Sequence, residues 1–114
     1  MAIGLNVQIE EIEGIVLMKI EGRLDAPSAP ILEKKLNALI DDSRFQIMID
    51  FARVDYLSSA GLRLLLAATK KLKSHEGKLV LFSIPDEVME IIKLAGFQRI
   101  LTICTNEQEA LQSF

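Results

Sequence analysis

Two short, nearly continuous apolar runs constrain the fold of this chain most: Gln46 to Phe51 (QIMIDF) and Lys78 to Ile84 (KLVLFSI). Strands that read apolar along their length are buried on both faces, as inside a sheet covered by helices. Between them the period changes. Leu62, Leu65, Leu66, Thr69 and Leu72 recur at helical spacing, while Lys70, Lys71 and Lys73 fall toward solvent. A buried strand, an amphipathic helix and a second buried strand make a crossover unit, which sets the two strands parallel.

The flanking segments extend this core. Leu5, Val7 and Ile9 alternate with Asn6, Gln8 and Glu10, Glu13-Gly14 signals a turn, and Ile15 to Ile20 is a second strand closed by Gly22. The short connection makes the pair an antiparallel hairpin. Asp25-Ala-Pro-Ser28 reads as a helix entry, with Asp25 or Ser28 as the cap and Pro27 or Pro30 in the first turn. Ala29, Leu32, Leu36, Leu39 and Ile40 then form an inner stripe. After QIMIDF a polar loop, Arg53 to Ser59, leads into the second helix, which stops at Gly77 in the C′ position. Pro85-Asp86-Glu87 opens a third helix lined by Val88, Ile91, Ile92 and Ala95 and ended by Gly96. A strand from Ile100 to Cys104 and an amphipathic helix from Asn106 to Phe114 follow. The expectation is one α/β domain over residues 1–114, with a mixed, mostly parallel sheet packed against helices.

Composition narrows the function. The 114 residues are 50% apolar and 25% charged, enough for a core without disulfides or metals and too apolar for disorder. Thirteen basic against sixteen acidic residues give a net charge of −3, which argues against a nucleic-acid binder needing a basic face. Cys104 is alone, so no disulfide framework or CxxC metal site is available, and it reads as a small buried hydrophobe. Met1 to Glu10 has no leader pattern, and no apolar run approaches the ~20 residues of a membrane span. A cytoplasmic protein without membrane insertion is expected, and nothing requires more than a monomer.

Enzyme signatures are missing. There is no GxxxxGK[ST] phosphate loop and no GxGxxG turn. The single histidine, His75, sits among Lys73, Ser74 and Glu76 near a helix C-terminus, where a solvated role is ordinary. Without a second histidine or a carboxylate cluster, neither a Ser-His-Asp triad nor a zinc site is easy to assemble, so no catalysis, cofactor or metal is expected.

One segment stands apart: Val54-Asp55-Tyr56-Leu57-Ser58-Ser59-Ala60-Gly61-Leu62 follows the central strand and opens a helix. Sites in open α/β sheets collect at the carboxyl ends of strands. Ser58 or Ser59 is a good N-cap, and Ala60-Gly61 permits close packing on the sheet. A serine there also has an accessible hydroxyl, and the helix N-terminus stabilises a phosphate placed on it. Leu57 is either an exposed anchor or a buried loop residue. Leu64 and Ala68, off the inner stripe, either form a partner-facing patch or pack on neighbouring elements.

The stretch V-D-Y-L-S-S-A-G-L-R (Val54 to Arg63), with G-R-L-D (Gly22 to Asp25) and L-A-G-F (Leu94 to Phe97), closely resembles the STAS-domain family of bacterial anti-sigma factor antagonists. The resemblance implies a four- to five-stranded mixed sheet packed against helices. It also implies partner switching, in which the unphosphorylated antagonist binds an anti-sigma factor, often a serine kinase, and releases the sigma factor. Phosphorylation of a loop serine by that kinase ends the binding, and a serine phosphatase reverses it. Aligned on Gly61-Leu62, the family's D-S-S-G-L places the phosphate on Ser59, with Ser58 as the alternative; Ser58 replaces the motif's Asp and Ala60 its second serine. The implied partner surface comprises Asp25, Leu57, Ser58, Ser59, Ala60, Gly61 and Leu62. A different expectation is a STAS adaptor subunit of a transport or signalling complex that never meets a kinase. A third is a small enzyme or nucleotide-binding module using Asp55 and Ser59.

Overall fold

The structure, a computed structural model, describes residues 4–114; Met1 to Ile3, part of the stretch read for a leader, lie outside the described residues. Strands β1 (Leu5–Ile12) and β2 (Ile15–Leu24) form the hairpin. Helix α1 (Ala29–Asp41), strand β3 (Gln46–Leu57), helix α2 (Ser59–Ser74), strand β4 (Lys78–Phe82) and helix α3 (Asp86–Leu94) follow, then β5 (Thr102–Cys104) and α4 (Glu107–Gln112). The five strands lie in the order β1-β2-β3-β4-β5, antiparallel only between β1 and β2.

Each new parallel strand joins the same growing edge, so right-handed crossovers carry all three connecting helices to one face. The alternation of side chains bears this out. Val16, Met18, Ile47, Ile49, Leu79 and Leu81 point into a large core with Leu32 and Leu36 of α1, Leu65 and Leu72 of α2, and Val88 and Ile92 of α3. Their neighbours Leu17, Met48, Val80 and Phe82 point the other way, onto Ala110 of α4. The two apolar runs are therefore buried on both faces, as their sequence requires. Among the described residues, no helix is long and apolar enough to cross a membrane.

The expected boundaries shift in several places, each for a local reason. β2 continues through Gly22 to Leu24, since that glycine, at φ 114°, passes tightly against the Gly4 carbonyl inside the strand. Arg53 to Leu57 is strand, not loop. Opposite β2, pairing jumps from Lys19–Asp50 to Glu21–Arg53 and from Gly22–Val54 to Arg23–Tyr56, so β3 carries an extra residue twice. These bulges turn a two-residue alternation into the three-residue spacing of buried Phe51, Val54 and Leu57.

The α2 stripe is rotated toward α1: Leu64 and Ala68 are buried by packing, whereas Leu66 and Thr69 are only half-buried. The left-handed residue ending α2 is Glu76, at φ 59°, and Gly77 instead allows close approach to the Phe45 carbonyl. Ala95 is exposed because α3 ends at Leu94 and Ala95 is its C-cap. Ile100 is 52% exposed and precedes β5, and Cys104 is half-buried beside the smaller core. Asn106 lies outside α4 as its N-cap, accepting the Glu109 N–H at 2.9 Å.

Candidate functional site

The carboxyl ends of β2 and β3 meet at one point, where the Ser58 N–H donates to the Leu24 carbonyl at 2.9 Å. Ser58 is extended (φ −91°, ψ 172°), and its Oγ accepts the Gly61 N–H at 3.2 Å while its carbonyl accepts the Leu62 N–H at 2.9 Å. Ser58 is thus the N-cap of α2, and its hydroxyl is committed to the backbone. Ser59 is the first helical residue and is exposed. Its hydroxyl makes no hydrogen bond among the described residues. No acidic side chain stands in this first turn, so the positive end of the helix dipole is uncompensated.

Gly61 fixes where that turn sits. A β-carbon there would lie 2.7 Å from the Leu24 carbonyl oxygen, 2.8 Å from Leu24 Cγ and 3.0 Å from Leu57 Cδ1. Only glycine lets α2 start this close to the end of β2. Leu57 is 1% exposed and Leu62 3% exposed, so both side chains hold the loop from beneath. Leu57 is therefore not an exposed anchor. Gly61 is buried as well, Ala60 is half-buried, and Arg63 projects into solvent one turn after Ser59.

Asp25 lies just past the Leu24 carbonyl that receives Ser58, and it organises the entry to α1. Its Oδ1 accepts the Ser28 backbone N–H at 3.1 Å. The hydroxyl proton of fully buried Ser28 is shared between the Arg23 carbonyl at 2.6 Å and Asp25 Oδ1 at 2.9 Å, while Ser28 Oγ accepts the Asp25 N–H at 2.9 Å. Of the two expected caps, the carboxylate caps the turn, and Ser28, at the N-cap position, makes no side-chain cap bond. Pro30, not Pro27, is the proline within the first turn of α1. The Ser28 hydroxyl, its backbone N–H and the Arg23 guanidinium together hold the Asp25 carboxyl below the usual carboxylate range, against the opposing effect of desolvation.

Two further residues, not singled out by the sequence reading, tie the strand ends together. Arg23 and Tyr56 are cross-strand partners, the guanidinium carbon lies 4.3 Å from the ring centroid, and Arg23 Nε is 3.3 Å from Asp25 Oδ2. The signal was present in the chain's single tyrosine and in the arginine of G-R-L-D, both inside the motifs already marked. Asp55 is the extra residue of the second bulge and is exposed. His75 is the C-cap of α2, stacked on Phe45 with centroids 4.5 Å apart. It lies about 24 Å along the 16-residue helix from Ser59 and belongs to no common site with it.

Chemically, the arrangement offers an accessible hydroxyl at a helix N-terminus, with the neighbouring serine and carboxylate engaged in structure. Among the described residues, no three His, Cys, Asp or Glu side chains converge to hold a metal. Such a surface suits a protein contact that a phosphate can alter.

Comparison with known proteins gives a consistent result. Residues 6–110 match the family model described as STAS domain. The chain is 30% identical over 110 residues to the protein BtrV of Bordetella bronchiseptica, covering 96% of this chain and 95% of that one. It is 26% identical over 108 residues to the anti-sigma-B factor antagonist of Bacillus subtilis, covering 95% and 98% respectively. The crystal structure of an anti-sigma factor antagonist from Mycobacterium paratuberculosis matches with a TM-score of 0.87 and 26% identity, over 96% of this chain and 92% of that one.

Proposed function

The chain belongs to the STAS domain family, and from that membership we propose that it is an anti-sigma factor antagonist working by partner switching. Unphosphorylated, it binds an anti-sigma factor, itself a serine kinase, and so frees a sigma factor. The kinase phosphorylates Ser59, binding ends, and a serine phosphatase restores the active form. The protein acts in the cytoplasm, by binding rather than by catalysis. The names of its relatives in Bacillus subtilis and Mycobacterium paratuberculosis support this reading.

The observation that carries it is the unequal state of the two serines: Ser58 Oγ is spent as a cap, whereas Ser59 is exposed on the first residue of α2. A phosphoserine adds about −1.5 to −2 charges at neutral pH. On the antagonist's own side this charge is tolerated, because a helix N-terminus favours an anion. In the complex it must be desolvated against the partner, and an unmatched buried charge costs several kcal/mol. About 2.8 kcal/mol already lowers affinity a hundredfold. The partner surface in this reading is Ser59, Ala60, Arg63 and Asp25, with Leu57, Ser58, Gly61 and Leu62 shaping it from below.

The test is gentle affinity purification of the tagged chain from its native cell, with mass spectrometry of co-purifying proteins and of the Leu57 to Arg63 peptide. The expected result is a kinase-like anti-sigma factor and phosphate on Ser59, with Ser59→Asp losing the partner while remaining folded. Tight binding by Ser59→Asp equal to that of the parent chain refutes the switch. Transport subunits with an unmodified loop in every growth condition identify a STAS adaptor instead.

A further inference from the structure

A cavity of about 400 Å³ opens at the amino ends of the parallel strands, the end of the sheet opposite the serine loop. Gln46, Lys78 and Thr102, the first residues of β3, β4 and β5, stand on its wall. Lys73 at the end of α2 and Glu76 just beyond it form a second side, and Ser113 with Phe114 closes a third. Lys73 lies about 21 Å along α2 from Ser59, so the partner-switching reading makes no use of this cavity.

Two features give the cavity the character of a ligand site. The first is apolar surface gathered around one cleft: Leu79 is buried, whereas Ile100 is 52% exposed and Phe114 only half-buried. The second is unbalanced charge. Lys73 and Lys78 both line the cavity, neither pairs with a carboxylate among the described residues, and Glu76 is the one acidic side chain on the wall. Lys78 is half-buried; its ammonium donates to the Ser113 carbonyl and lies 5.6 Å from the Phe114 ring centroid. An ammonium carries three donors, and neither a carbonyl nor a ring neutralises its charge. The polar cleft across β1, β2 and β3 is different in kind, because its cations Lys19 and Arg53 are already paired with Glu10 and Glu21.

We propose that the cavity at the amino ends of β3, β4 and β5 binds a small organic carboxylate with an apolar body. Lys73 and Lys78 receive the carboxylate, and the body lies on Leu79, Ile100 and Phe114. Small-ligand clefts run from about 300 to 1,000 Å³, and this one is near the lower limit. A single ring or a short chain fills it, and a dinucleotide does not fit. Two charge-assisted hydrogen bonds offset the desolvation of the carboxylate. Lys78 keeps its bond to the Ser113 carbonyl and gives the ligand another of its N–H groups, so that side of the site is ordered before the ligand arrives. The proposal is independent of the antagonist reading.

The experiment titrates the full chain, labelled with nitrogen-15, with 4-phenylbutyrate, with decanoate and with the uncharged 4-phenylbutyramide, following amide chemical shifts. The expected result is saturable shifts at Gly77, Leu79 and Thr102 with a dissociation constant of about 1 mM or tighter for at least one acid, and no movement at Ser59 or Gly61. Lys73→Met and Lys78→Met each weaken binding at least fivefold, Ile100→Glu at least tenfold, and Lys35→Met, an exposed site on α1, stays within twofold of the parent. Lys73 is exposed and unpaired, so its variant melts like the parent and separates lost binding from lost folding. Absence of saturable shifts with both acids overturns the proposal. Equal binding of the amide and its acid, or parental affinity in both lysine variants, overturns recognition of the carboxylate and with it the proposed class of ligand.

Discussion

Replacing Ser58 with alanine removes the hydroxyl that accepts the Gly61 N–H and leaves that donor without its side-chain partner at the start of α2. Loss of an N-cap costs about 0.5–2 kcal/mol. The bond here is 3.2 Å, at the long end of the normal range, and Ser58 is only half-buried, so the lower part of that interval applies, about 0.5–1 kcal/mol. Unfolding entropy of about 2.1 cal/mol/K per residue gives roughly 0.24 kcal/mol/K for this chain, so the midpoint falls by about 2–4 °C. Ser59→Ala behaves differently. It removes an exposed hydroxyl without a hydrogen bond and installs a better helix former, so its stability stays within about 0.5 kcal/mol of the parent. Scanning calorimetry reads the first quantity, and intact-protein mass after exposure to the cognate kinase reads phosphate. The expected pattern is a double dissociation, in which Ser58→Ala melts lower yet takes phosphate and Ser59→Ala melts normally yet takes none. The reverse pattern, with Ser59→Ala melting lower and Ser58 carrying the phosphate, refutes the assignment of cap and switch.

Two further outcomes follow from the same geometry. Gly61→Val forces α2 off the Leu24 carbonyl and costs about 2–3 kcal/mol by overpacking, read as a lower urea midpoint with unchanged slope; a parental midpoint would show that the close approach does not set the helix position. Because Asp25 titrates below its ordinary range when folded, the unfolded chain binds more protons there, and the resulting stability is present above the usual carboxylate pKa and lost as pH falls through the lowered value. The urea-midpoint gap between the parent and Asp25→Asn is expected to narrow below about pH 4, and a gap constant from pH 7 to pH 3 contradicts the hydrogen-bonded carboxylate.

What could be read from sequence divides along a physical line. QIMIDF and KLVLFSI declared themselves because burial on both faces leaves almost no position free to be polar, and the structure places Met48 and Val80 opposite Ile47 and Leu79 accordingly. The hairpin was legible for another reason, the two-residue alternation of Leu5, Val7 and Ile9 with polar residues along edge strand β1 and the Glu13-Gly14 turn that follows it. The second half of β3 was not. Its bulges give Phe51, Val54 and Leu57 a spacing of three, which matches neither the strand nor the helix period, and the intervening Arg53 and Asp55 made it read as a loop. The same miscount presented Leu57 as a candidate anchor, when the bulged strand delivers it to the core.

The site shows the same division at higher resolution. A serine pair before Ala-Gly marks a helix start in any sequence, but which hydroxyl caps depends on where the last strand residue ends, and that was hidden by the bulges. Once β3 is carried to Leu57, the Ser58 N–H is pinned to the Leu24 carbonyl, and the cap and the exposed hydroxyl are assigned together. The packing of α1 against α2 is less legible still, since it depends on how far apart two helices rest on a common sheet. Sequence spacing alone leaves Leu64 and Ala68 open to either a partner-facing or a packing role. In the structure both are buried in the large core. A substitution at either one therefore removes core packing and reads as lost stability, which in a binding assay would be mistaken for a lost contact.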